Sequence, residues 1–109
     1  MYVKDGTSTL KRVLTCPPTF LKKAAPINEI SKLHPEPLNS ELLASEYQRV
    51  LDAYEEAGVK VEKLTPDASM TNSIFARDFG GCVKEGYILG RFKKELRFPE
   101  RKAYEDKMK

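Results

Sequence analysis

The segment Met70-Thr71-Asn72-Ser73-Ile74-Phe75-Ala76-Arg77-Asp78-Phe79-Gly80-Gly81 gathers the side chains of this sequence best suited to chemistry. A cation, Arg77, and an anion, Asp78, follow the apolar pair Ile74 and Phe75 and precede two glycines. A carboxylate binds a guanidinium through two parallel charge-assisted hydrogen bonds, and an arginine binds a carboxylate in the same way. Arg77 and Asp78 together have the chemistry to hold both ends of an arginine-like zwitterion. The same dipeptide also has a purely structural reading, a surface ion pair at a strand end, and such pairs contribute little to stability.

Other reactive residue types are sparse. His34 is the only histidine and precedes Pro35 in a long polar stretch. A general base needs a partner within hydrogen-bond reach, and no neighbour in sequence supplies one, so His34 reads as a surface residue. Cys82, between Gly81 and Val83, reads as a small buried hydrophobe in a strand. Cys16 lies at the end of a short apolar run. No pattern of histidines, cysteines and carboxylates has the spacing of a metal site, and no cofactor is expected. The glycines at 80, 81, 86 and 90 do not form a phosphate-binding loop.

The elements that must position these residues follow from periodicity and punctuation. Arg12 to Thr15 reads as a strand stopped by Pro17-Pro18, because proline cannot donate to a ladder. Residues 19–39, with Pro26, Pro35 and Pro37, read as a long loop, and long ordered loops are often functional. Leu43, Tyr47, Val50, Leu51 and Tyr54 recur at helical spacing and predict a helix over 40–57. Asn39 or Ser40 can cap its start, and Gly58 suits the position after its end. Val59 to Glu62 alternates as a half-buried strand. Ile74 to Lys84 and Tyr87 to Phe92 predict a hairpin around Glu85-Gly86. A last helix should begin near Pro99, a good first-turn residue. The expected order is β-α-β-β-β-α, an α+β arrangement in which a mixed sheet is backed by a helix.

Composition narrows the function classes. The 109 residues suit one domain, 1–109, with a hydrophobic fraction of 40% that is lean for a self-sufficient core. The net charge is only +3 and acidic residues are interspersed throughout, so no nucleic-acid partner is expected. Lys93, Lys94, Arg97, Arg101 and Lys102 form the densest basic cluster, and Glu95 and Glu100 dilute it. No apolar run is long enough for a bilayer, and the opening residues lack the apolar centre of a signal peptide. Two distant cysteines without a secretion signal favour a reducing cytoplasm.

Several pieces in order resemble the pentein superfamily of guanidino-modifying enzymes, which includes amidinotransferases, arginine deiminases and dimethylarginine dimethylaminohydrolases. Arg12-Val13-Leu14-Thr15-Cys16-Pro17-Pro18 is similar to their opening strand, and Tyr47 to Leu64 to their first helix and second strand. Phe75-Ala76-Arg77-Asp78 resembles their F-x-[RE]-D segment, and Arg97-Phe98 to Glu100 with Ala103-Tyr104 resembles the amidinotransferase continuation. The resemblance implies a ββαβ module of an α/β propeller. Complete penteins are much longer, so an incomplete propeller is expected: a truncated, amino-terminal portion of an enzyme.

By the same resemblance, Asp78 sits where the family aspartate grips the substrate guanidinium. Arg77 occupies a position that is arginine in deiminases and amidinotransferases and glutamate in some dimethylarginine hydrolases, and its arginine points away from the latter. Two roles stay open for it, contact with a substrate carboxylate and pairing with Asp78. Asn72 corresponds to a substrate-contacting aspartate of the dimethylarginine enzymes, with the hydrogen bonds kept and the charge lost. Phe75 either walls the pocket or joins the core, the core being the stronger expectation.

The implied chemistry is covalent. A cysteine thiolate attacks the guanidinium carbon, a histidine protonates the leaving amine, and a thiouronium forms, as suits a nucleophile strong near neutral pH. The family carries that histidine and cysteine in later modules, so neither Cys16 nor Cys82 is expected to be catalytic and the isolated chain should be inactive. The contrasting expectation is a non-catalytic module for assembly or partner binding. A non-catalytic pentein relative binds the large ribosomal subunit, and a lone module leaves sheet edges that favour self-association or a complementary chain.

Overall fold

A computed structural model describes Tyr2, residues 4–21 and residues 29–109. Strand β1, Arg12–Thr15, and strand β2, Lys60–Lys63, pair in parallel with Val13 opposite Val61. Parallel pairing requires a crossover, and helix α2, Ser40–Glu56, provides it. A short helix α1, Glu29–Leu33, precedes α2 inside the stretch expected to be a loop, and residues 22–28 of that stretch lie outside the described residues. The Asn39 side chain caps α2 by accepting from the Leu42 amide at 3.0 Å. Gly58 follows the helix at φ +72°, a left-handed conformation in which a Cβ is disfavoured.

The second half departs from the expected sheet. Residues 76–79, Ala76–Phe79, form a 3₁₀ turn and not the centre of a strand. The strand of this region, β3, begins only at Gly80 and ends at Val83. It pairs antiparallel with β4, Gly86–Leu89, which stops short of Arg91 and Phe92. The physical reason lies in the carbonyls. Asn72 O accepts from the Phe75 amide at 3.1 Å and Phe75 O from the Asp78 amide at 3.0 Å. These groups are satisfied by local turns and are withdrawn from a ladder. Among the described residues the structure is therefore a mixed α/β domain with two separate two-stranded sheets, and the single mixed sheet is corrected.

Helix α3, Phe98–Met108, joins the two halves. Its Tyr104 is fully buried and stacks on Phe79 with ring centroids 4.8 Å apart. Its hydroxyl donates to Ser73 O at 2.8 Å, as a buried phenol requires. Cys16, Leu64 and Ala76 complete this core, with Leu14, Leu89 and Phe92 packed around it. Gly80 closes the hairpin at φ +151°. A Cβ there would lie 1.9 Å from Ile88 O, so only glycine lets the two strands approach. The hairpin returns the chain to the level of Phe79, where the Gly90 amide donates to Phe79 O at 2.6 Å. That reversal brings residues 92–100 back to Asp78.

Candidate functional site

The residue at the centre of the site is Arg97. It ends a short 3₁₀ turn, Glu95–Arg97, directly before α3. Its Nε donates to both oxygens of Glu100, at 3.1 and 3.2 Å, and its Nη2 donates to Glu100 Oε2 at 2.8 Å. Nη2 also reaches Phe75 O at 3.3 Å and Asn72 O at 3.4 Å. Nη1 donates to Asp78 Oδ2 at 2.6 Å. The guanidinium carbon lies 4.2 Å from the centroid of the Phe92 ring, a cation–π contact. The Nε and Nη2 edges of this planar cation and one of its flat faces are thus held by groups of the fold, and its Nη1 edge by Asp78.

Exposure separates the two carboxylates. The Glu100 side chain is 0% exposed, whereas that of Asp78 is 54% exposed. Glu100 is the buried counterion that makes Arg97 tolerable in the interior. Burial opposes the charge on Arg97, and hydrogen bonds to Glu100 and Asp78 outweigh it, holding the guanidinium above the usual arginine range. One cation between two anions leaves a negative charge unmatched, and it resides on the exposed member, Asp78. Among the described residues Asp78 Oδ1 has no hydrogen-bond partner.

The residues expected to form the site are placed in different surroundings. Arg77 does not pair with Asp78, since Asp78 is engaged by Arg97. Successive residues of a 3₁₀ turn point roughly 120° apart, and Arg77 turns instead toward a cleft of about 450 Å³. That cleft is lined by Leu14, Cys16, Tyr47, Tyr54 and Phe75 as well. Phe75 is 52% exposed and forms part of this wall, so the core role expected for it is corrected. Asn72 is buried, its side-chain amide donating to Thr71 Oγ1 at 3.2 Å. Its carbonyl, not its side chain, reaches Arg97. Asp78 lines neither this cleft nor a second one of about 350 Å³ formed by Arg91, Phe92, Phe98 and Arg101.

Cys16 is buried, donates to Ser73 Oγ at 3.2 Å, and has its thiol pushed up by burial. A thiol held protonated is a poor nucleophile. Cys82 is half-buried, and the His34 side chain is 64% exposed, 3.9 Å from Glu36. Among the described residues no cluster of histidine, cysteine and carboxylate side chains has the arrangement of a metal site, and no helix is long and apolar enough to cross a membrane.

Arg97 and Glu100 are the functional candidates that the sequence reading missed, having counted them as a surface basic residue and its diluent. A signal was present. Arginine and glutamate three apart at the start of a helix face each other, and Phe92 lies five residues upstream of Arg97. Nothing local, however, marks the pairing of Arg97 with Asp78 across 19 residues.

No curated protein matches the sequence. Among solved structures, the fold is similar to that of the amino-terminal domain of ArgZ bound to product, an arginine dihydrolase of the ornithine-ammonia cycle in Cyanobacteria. The TM-score is 0.79 at 18% identity, over 92% of this chain and 36% of that one. A variant of AgrE in complex with L-arginine gives a TM-score of 0.80 at 19% identity, over 93% of this chain and 15% of AgrE. This chain therefore spans about a third of the ArgZ amino-terminal domain. A family model described as N,N dimethylarginine dimethylhydrolase, eukaryotic, matches residues 17–109. That match sets the chain with the dimethylarginine group, against the expectation drawn from Arg77. The chain belongs to the N,N-dimethylarginine dimethylhydrolase family, within the pentein superfamily of guanidino-modifying enzymes.

Proposed function

We propose that this chain is the amino-terminal portion of a pentein propeller enzyme and supplies the carboxylate that grips the guanidinium of arginine or a related guanidino compound. One observation carries the reading. Asp78 is half-exposed, negatively charged in a surplus that Arg97 does not cancel, and has one carboxylate oxygen without a partner among the described residues. A carboxylate held in this way orients a planar cation by charge-assisted hydrogen bonding. The similar structures support the ligand class, since AgrE is seen with L-arginine and an asparagine-to-serine variant of ArgZ with a covalently bound reaction intermediate.

In this reading Asp78 binds the guanidinium, Asn72 supports the site through its carbonyl on Arg97, and Arg77 and Phe75 line the neighbouring cleft, which Asp78 does not join. The nucleophilic cysteine and the histidine acid come from outside this segment, and the reaction is attack of thiolate on the guanidinium carbon to form a thiouronium. A cytoplasmic setting belongs to the same proposal. The test is calorimetric titration of wild-type and Asp78→Asn protein with L-arginine, N,N-dimethylarginine and agmatine. It is run on the 109-residue chain and on any longer product of the same coding sequence. Saturable binding lost in Asp78→Asn supports the reading, and equal binding by both proteins refutes it.

A second reading, a non-catalytic module for assembly, rests on the open apolar cleft. Phe75 and Val50 are exposed there beside the half-buried Tyr47 and Tyr54. Such a surface suits a complementary chain or a second copy.

A further inference from the structure

We propose that the cleft formed by Arg91, Phe92, Phe98 and Arg101 is a second binding site, apart from Asp78, and that it takes a small phosphate monoester carrying a flat ring system, a nucleoside monophosphate being the type.

The first observation is charge. Residues 90–101 carry Arg91, Lys93, Lys94, Arg97 and Arg101 against Glu95 and Glu100, and the whole chain has a net charge of only +3. The cationic surplus of this one segment equals that of the whole sequence, so the excess is concentrated at the cleft. Arg97 is matched inside the fold by Glu100 and Asp78. Lys102, next along α3, is taken up by Asp106 at 2.6 Å. Arg91 and Arg101 are exposed and have neither a hydrogen bond nor an ion pair among the described residues. Two such planar forks on one cleft select for an anion with several acceptor oxygens. A carboxylate supplies one negative charge. A phosphate monoester supplies close to two near neutral pH and three acceptor oxygens, enough for a fork from each arginine.

The second observation is the aromatic wall. Phe98 and Arg101 are three apart at the start of α3 and share a face. Phe98 is 54% exposed. Phe92 is held in place, because it packs against the core and Arg97 lies over its ring at 4.2 Å. The chain entering Arg91 is pinned as well, since the Gly90 amide donates to Phe79 O. A flat ring system stacks on phenyl faces with little regard to its substituents, and arginine adds cation–π attraction. The cleft volume of about 350 Å³ lies at the small end of ligand sites, which suits one nucleotide and not a strand of them.

The test follows the backbone amide resonances of the 109-residue protein by NMR, with adenosine 5′-monophosphate, adenosine and inorganic phosphate as separate probes. Saturable shifts with the monophosphate, centred on residues 91–101, are expected, with adenosine and phosphate each binding at least tenfold more weakly. Arg91→Gln and Arg101→Gln should each weaken the monophosphate about tenfold or more, as the loss of charge-assisted hydrogen bonds implies. Phe98→Ala should weaken it several-fold, and Asp78→Asn should leave it unchanged. Absence of saturable binding at millimolar monophosphate overturns the proposal, as does equal binding by both arginine variants. Phosphate alone binding as well as the monophosphate removes the role of the rings and refutes the ligand class. Loss of binding in Asp78→Asn would place the ligand at the other site and refute the assignment. Should an arginine variant not fold, the comparison of the three probes on the wild type still decides.

Discussion

Replacing Arg97 with methionine should be the most damaging single change near the site, and the cause should be Glu100. Arg97→Met keeps much of the side-chain volume against Phe92 but removes every donor to a carboxylate that is 0% exposed. An uncompensated buried charge costs about 3–5 kcal/mol. A domain of this size has a total stability of about 5–15 kcal/mol, so about a fifth or more of the folding free energy is at stake. The Asn72 and Phe75 carbonyls add less, because both also accept backbone amides. The double variant Arg97→Met/Glu100→Leu should recover most of the loss, since replacing both members of a buried pair by apolar groups is often neutral. Urea denaturation of wild type, both single variants and the double variant gives the coupling directly. If Arg97→Met alone costs under about 1 kcal/mol, a value typical of solvent-exposed pairs, then Glu100 is hydrated in solution and the buried pair is not the organiser of the site.

Asp78→Asn should lower stability by no more than about 1 kcal/mol in the same assay, because its partner bond is half exposed and Arg97 keeps Glu100. A larger loss would make Asp78 a support of the fold. Alkaline pH should destabilise the protein. Burial raises both Cys16 and Tyr104, so the stability they contribute is fully present below their ordinary values of 9.0 and 10.0. It is lost as pH rises through their higher folded values. A thermal midpoint flat from pH 8 to 11, as followed by circular dichroism, would contradict this burial. The isolated chain should show no hydrolysis or amidino transfer with arginine, methylated arginines or agmatine. Turnover abolished by Cys16→Ala or Cys82→Ala would make that cysteine the nucleophile and overturn the division of labour.

Much of the framework was legible because it is local. The Asn39 cap, the apolar stripe of α2 and Gly58 mark a helix by hydrogen bonds and periodicity within a few residues. Pro99 near the start of α3 and the Glu85-Gly86 reversal mark the next elements for the same reason. What the sequence concealed is non-local. Ile74 and Phe75 have strand propensity, but the carbonyls at 72 and 75 are taken by the turn amides of Phe75 and Asp78 and receive a further donor from Arg97, far along the chain. No window around residue 74 contains that information. The candidate site was half legible likewise. Asp78 stood out as an anion among apolar residues and glycines, whereas its true partner was hidden among surface-like charges. Arg77, adjacent in sequence, is directed elsewhere by the pitch of the turn.

Gly80 has a consequence for how variants of this protein are interpreted. It has no side chain to offer a ligand, yet its conformation and the closeness of Ile88 O hold the hairpin shut, and the hairpin sets the spacing of Asp78 and Arg97. A saturation screen scored only by ligand capture would rank position 80 among the contact residues. A parallel screen scored by abundance would separate the two classes. Asp78 variants would lose capture and keep abundance, and Gly80 variants would lose both together.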